Sequence, residues 1–103
     1  MYEDFFAERL SSLRVQKNIS AREMSLALGQ NESYINRIEN KLAFPSMQMF
    51  FYICEYLNIT PKDFFDTDIS EPIKFNETME ELKSLNGIQL NAITEVAKQM
   101  HRG

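Results

Sequence analysis

Between Ser20 and Pro45 the chain reads SAREMSLALGQNESYINRIENKLAFP, and this stretch restricts the possible folds more than any other. Ser20-Ala21-Arg22-Glu23 is a helix start: a hydroxyl placed to accept from an amide three residues on, and a glutamate placed to reach back. Met24 and Leu28 point inward from that helix, and Gly29 supplies the left-handed residue on which helices commonly end. Asn31 is placed to cap a second short helix, Glu32 to Asn40, whose apolar stripe is Ile35 and Ile38. Two short helices on either side of a glycine-led turn have to be embedded among others.

The flanking sequence supplies those others. A first helix from about Asp4 to Lys17 carries Phe6, Leu10 and Leu13 on one face, and Asn18 ends it. Pro45-Ser46 opens a fourth helix lined by Met47, Phe50, Phe51, Ile53, Cys54 and Leu57. Thr60-Pro61-Lys62-Asp63 opens a fifth, with proline at its first position, and Phe64 and Phe65 are placed to close the core. Asp66 to Phe75 is acidic, holds Pro72 and has no clear period, so it reads as a linker. Glu77 to Leu85 is helix-compatible. Asn86-Gly87-Ile88-Gln89 resembles another cap and opens a last helix, Ile88 to Met100. The expected architecture is all-α: a five-helix domain over residues 1–66, then an acidic linker and helical extension over 67–103.

Composition narrows the function. The chain has 103 residues, 44% apolar and 25% charged, as a soluble globular protein does. No apolar run approaches the roughly 20 residues that cross a bilayer, and the acidic start Met1-Tyr2-Glu3-Asp4 does not read as a secretory signal. Cys54 is the only cysteine, which excludes an internal disulfide and fits a reducing cytoplasm. It sits among apolar helix positions and reads as core rather than as a nucleophile. His101 has no ligand set around it, and there is no phosphate loop or nucleophile motif; neither enzyme activity nor a cofactor is expected. The net charge of −4 lies wholly in residues 46–103, with five Lys/Arg against nine Asp/Glu, while residues 1–45 balance six against six. The first part can therefore present a locally positive face without general basicity.

Leu13-Arg14, Ile19-Ser20, Glu23-Met24, Leu28-Gly29, Ile35, Arg37-Ile38-Glu39-Asn40 and Pro45-Ser46, at their spacing before an apolar fourth helix, resemble the repressor/Cro (Xre) family of helix-turn-helix regulators over about residues 6–65. The resemblance implies a transcriptional regulator, most simply a repressor, that lays the 32–40 helix in the major groove of double-stranded DNA. It places Glu32, Ser33, Asn36 and Arg37 against bases, and Arg22, Tyr34, Asn40 and Lys41 against the backbone. Tyr34 is also placed to pack on the second helix. Arg14 and Glu39 match a structural ion pair between the first and third helices. Relatives bind inverted-repeat operators as homodimers, which makes the stripe Ile88, Ile93, Val96, Ala97 and Met100 a dimerising surface; packing back on its own chain is the alternative.

Three positions depart from the family pattern. Ala21 stands where glutamine is common, Lys41 where glycine is usual, and Glu32 brings a carboxylate toward phosphates. With the net negative charge, Ala21 and Glu32 favour a rival reading, a protein-interaction module that keeps the fold without binding DNA.

Overall fold

The computed structural model describes residues 2–68 and 70–102, with side chains as far as His101. They form seven helices and no strand: α1 Tyr2–Gln16, α2 Ala21–Ala27, α3 Tyr34–Glu39, α4 Met47–Leu57, α5 Pro61–Phe65, α6 Pro72–Leu82 and α7 Gly87–Arg102.

Local chemistry sets most of the boundaries. Ser20, Ser46 and Thr60 each accept, through the side-chain oxygen, the amide of the residue three positions on, Glu23, Met49 and Asp63 respectively. At Thr60 the reciprocal bond from its own amide to Asp63 completes a capping box. At Ser20 that return bond is absent: Glu23 is exposed and does not reach back. Asn86 and Gln89 exchange both bonds at the start of α7. The helix ends follow equally simple rules. Gly29 at φ +75° closes α2, with Gln30 N–H donating to Ser25 O at 3.0 Å and Gly29 N–H to Leu26 O at 3.0 Å, the paired bonds of a Schellman turn. Asn18 and Asn58 take the left-handed conformation after α1 and α4, a role asparagine fills at low strain.

The core joins all of α1 to α5. Leu10, Leu13, Met24, Ile35, Ile53, Leu57 and Phe64 are fully buried, with Ile38, Phe50 and Cys54 close to it. Phe6, Phe50 and Phe64 meet at centroid distances of 4.9 to 5.9 Å, tying α1, α4 and α5 together. Phe65, placed by sequence in the closure of the core, is 53% exposed, and Met47 and Phe51 on α4 also face outward.

Arg9 does structural work that the sequence conceals. It is buried. Its guanidinium donates to the carbonyls of Phe64 (2.6 Å), Asp63 (2.8 Å) and Asp66 (2.9 Å). These carbonyls lie where α5 ends and a helix leaves its last carbonyls short of partners; that of Asp63 also accepts the Asp66 amide at 3.3 Å, and a cation at that end meets the negative pole of the helix. One of the six cations counted toward a positive face is thus spent inside.

The linker is shorter than its composition suggests. Helix α6 begins at Pro72, not beyond Phe75, and Pro72 and Ile73 are buried. Gln16 holds the approach to α6 by donating to Ser70 O at 2.9 Å. The buried residues of α6, Pro72 and Ile73, lie in its first turn, and beyond them Asn76 donates to Asn58 O (3.5 Å) and Asp63 Oδ2 (3.3 Å), so no long apolar period marks the helix in the sequence. Every residue of α7 through His101 is exposed, and no side chain of the described residues covers its apolar stripe. The radius of gyration, 16.6 Å, exceeds the roughly 13 Å of a compact chain near this length, as a helix standing off the domain requires.

Candidate nucleic-acid interface

Two polar contacts, one from α2 and one from α1, fix the orientation of α3. Ser25 is fully buried on α2; its hydroxyl donates to Ala21 O at 2.7 Å and accepts the Ile35 amide at 2.9 Å. The first amides of a helix have no partner within it, so Ser25 supplies from α2 what α3 lacks. Nothing in the local pattern marks Ser25, since a mid-helix serine usually bonds back to its own turn or faces water. Ser25→Ala strands the Ile35 amide in the core, and unfolding in urea is expected to show a loss of about 1–3 kcal/mol.

The second contact runs from α1. Arg14 Nε donates to Glu39 Oε2 at 2.7 Å, Nη2 to Oε1 at 3.0 Å and Nη1 to Ile19 O at 2.8 Å. The two side chains are 17% and 12% exposed. The bond to Glu39 raises the guanidinium pKa further above its ordinary value, against the opposing effect of burial. A two-pronged pair of this kind sets the orientation of α3 as well as its position.

With Ile35 and Ile38 turned into the core, the opposite side of α3 is left to solvent. Glu32, Ser33, Asn36, Arg37, Asn40 and Lys41 are all exposed there. The helix itself is Tyr34–Glu39, shorter than the 32–40 expected, because Glu32 and Ser33 belong to a turn. Asn31 organises that turn, its Oδ1 accepting from the Ser33 amide (3.1 Å) and hydroxyl (2.9 Å). Tyr34 is half-buried with its ring against the core, and burial pushes its phenol pKa up. Asn40 Nδ2 donates to Asn36 Oδ1 at 2.7 Å, which leaves Asn36 its own amide protons and one lone pair to offer outward.

The charges on this face are not arranged as a bare positive stripe. Arg22 Nε lies 3.0 Å from Glu32 Oε2, and Lys41 Nζ 2.7 Å from Asp4 Oδ1. Hydrogen bonding to Lys41 holds the Asp4 carboxyl below the usual range, and the same bond raises the Lys41 ammonium. Lys17 lies over the Tyr56 ring at 5.1 Å. Arg37 is the one cation of residues 2–45 with no ion-pair, hydrogen-bond or aromatic partner for its side chain among the described residues. Lys41 also sits at φ +64°, with Leu42 N–H donating to Arg37 O at 2.9 Å. It thus occupies a left-handed turn position that strains a lysine, and a glycine would hold it freely.

The stripe on α7 is re-drawn by the helix. Ile93, Val96, Ala97 and Met100 share one face. Leu90 lies at its edge, whereas Ile88, 82% exposed, points away from it. Elsewhere, Cys54 is buried and its thiol pKa is pushed up to about 11 by desolvation, which leaves almost no thiolate at neutral pH. No helix among the described residues is long and apolar enough to cross a membrane.

A buried brace between two short helices, a Schellman turn at a glycine between them, and an exposed polar face on the second define a helix-turn-helix protein, the class of DNA-binding regulators. A family model described as a helix-turn-helix domain matches residues 7–68, and the chain belongs to that family. Comparisons with curated proteins and with solved structures gave no match.

Proposed function

We propose that the chain is a cytoplasmic, sequence-specific transcriptional regulator of the repressor/Cro type. It acts as a homodimer on an inverted-repeat operator, most simply by blocking polymerase. The observation that carries this reading is the rigid presentation of α3. Ser25 and the Arg14–Glu39 pair fix its axis, while Arg37 stands exposed without a partner on its outer side. A guanidinium free to make a forked contact is the usual reader of guanine in the major groove. Asn36 suits adenine, and Ser33 and Glu32 lie at the leading end of the helix beside the groove. Arg22, Asn40, Lys41 and the hydroxyl of Tyr34 meet the backbone, positioning without reading. Ile93, Val96, Ala97 and Met100, with Leu90, form the contact between protomers.

The test separates reading from holding. Arg37→Ala is expected to lower the preference for the selected site over its single-base variants by about 10- to 100-fold at the base it contacts. Lys41→Gly is expected to weaken every duplex alike, yet to unfold at the same or a higher temperature because the left-handed turn is relaxed. Competition binding and thermal unfolding give both. If neither change alters binding, the assignment of this face to DNA is wrong.

The second reading, a helix-turn-helix fold that engages a protein instead, draws on the two ion pairs that neutralise Arg22 and Lys41. It predicts no duplex binding above background at near-physiological salt by either the parent or any variant.

A further inference from the structure

Two carboxylates on the proposed DNA side, Glu32 and Asp4, come from different elements, yet each sits on a cation assigned to phosphate. Glu32 Oε2 is 3.0 Å from Arg22 Nε, and Asp4 Oδ1 is 2.7 Å from Lys41 Nζ. All four side chains are between 46% and 70% exposed. The pairs are therefore not core structure, and they add little to folding. Their geometry matters more than their strength. Arg22 uses Nε for Glu32, which leaves both terminal amino groups of the guanidinium for another acceptor. Lys41 is held by Asp4 while its backbone is locked in the turn that ends α3, so its ammonium is confined near one spot.

We infer that Glu32 and Asp4 set how tightly this face holds phosphate, acting through Arg22 and Lys41 by making phosphate compete with a built-in carboxylate. Non-specific binding is carried almost wholly by cations meeting phosphates. A chain whose backbone-contacting cations are already neutralised gains little from an arbitrary duplex. The penalty is the same on every sequence, so bulk and operator binding are lowered alike and total affinity stays low. The ratio of bound operator to bound bulk DNA follows from the affinity gap together with the number of competing sites, and that gap is left to the base contacts. The same arrangement accounts for a DNA-binding domain with no excess of basic residues. In this role Glu32 orients Arg22 rather than reading a cytosine. The inference rests on the backbone contacts proposed for Arg22 and Lys41.

The experiment uses the full chain and a labelled duplex of arbitrary sequence, titrated by fluorescence anisotropy across a series of salt concentrations. Glu32→Gln and Asp4→Asn keep side-chain shape and remove the charge. Each is expected to tighten binding to the arbitrary duplex by about threefold, the equilibrium equivalent of one exposed ion pair. The double variant should reach about tenfold, because separated sites add. The dependence of affinity on salt should steepen in each. Glu23→Gln removes a neighbouring exposed carboxylate that has no ion-pair partner among the described residues; it should change affinity by less than either. Arg22→Ala and Lys41→Gly should weaken binding, and thermal unfolding of every variant establishes that the fold is intact.

If the cation variants weaken binding while Glu32→Gln and Asp4→Asn do no more than Glu23→Gln, the carboxylates do not act in this way and the DNA face stands. If Arg22→Ala and Lys41→Gly leave binding unchanged, both the inference and the assignment of those cations to phosphate are overturned.

Discussion

Ile93→Asp is expected to convert the proposed homodimer to a monomer and to lower its affinity for an inverted-repeat operator by about 10²- to 10⁴-fold. The size follows from linkage: once one recognition helix is seated, its partner's helix binds at a high effective concentration, and that advantage vanishes when the two chains part. Ile93 is 46% exposed, on a helix with no covering side chains among the described residues. An aspartate there should therefore leave the fold of residues 2–68 untouched, and thermal unfolding should show only the loss expected from dissociation. The charges of α7 with described side chains, Glu95 and Lys98, pair with each other at 3.5 Å on the side away from the stripe. Two copies can bring the stripes together without opposing like charges. Sedimentation gives the mass and operator titration the affinity. A variant that keeps the parent's mass would remove α7 as the contact between protomers.

Arg14→Met is expected to destabilise the domain by about 2–4 kcal/mol, at the lower side of what breaking a buried ion pair causes because some water reaches this one. Methionine keeps much of the apolar stem, so the loss measures the charged head. Two carboxylate oxygens of Glu39 and the Ile19 carbonyl are left without their donors. For a chain of this length the melting temperature should fall on the order of 10–20 °C. Because the pair is mostly shielded from solvent, raising the salt should reduce the difference only slightly. A fall no larger than that of Lys62→Ala, an exposed lysine on α5, would show that the pair does not hold α3.

What the sequence discloses about this molecule is mostly what is local. A helix start is set by one side chain and an amide three residues away, and the signals at Ser20, Ser46, Thr60 and Asn86 could be read directly for that reason. Ile35, Ile38, Ile53 and Leu57 are inward because a helix repeats every 3.6 residues. Contacts between distant segments leave no such trace. Arg9 bonds carbonyls 54 to 57 positions away, and in sequence it is one more cation on a domain expected to face DNA. Ser25 meets Ile35 only because Gly29 turns the chain back on itself. Pro72-Ile73 interrupts an acidic stretch too briefly to suggest packing. The bonds of Glu32 to Arg22 and Asp4 to Lys41 turn two separate sequence concerns, the unusual acid and the low charge, into one arrangement. Lys41 shows the remaining ambiguity: the sequence marks a residue where glycine is usual, and the structure finds the turn kept and the strain accepted.

The most direct test of the central claim is selection of bound fragments from the source genome by the purified full chain at near-physiological salt. A short inverted repeat is expected, its half-sites about one helical turn apart, near 34 Å, and its enrichment lost with Arg37→Ala. Recovery of nothing above background would contradict a sequence-reading role for α3 and leave the fold to be explained by a protein partner.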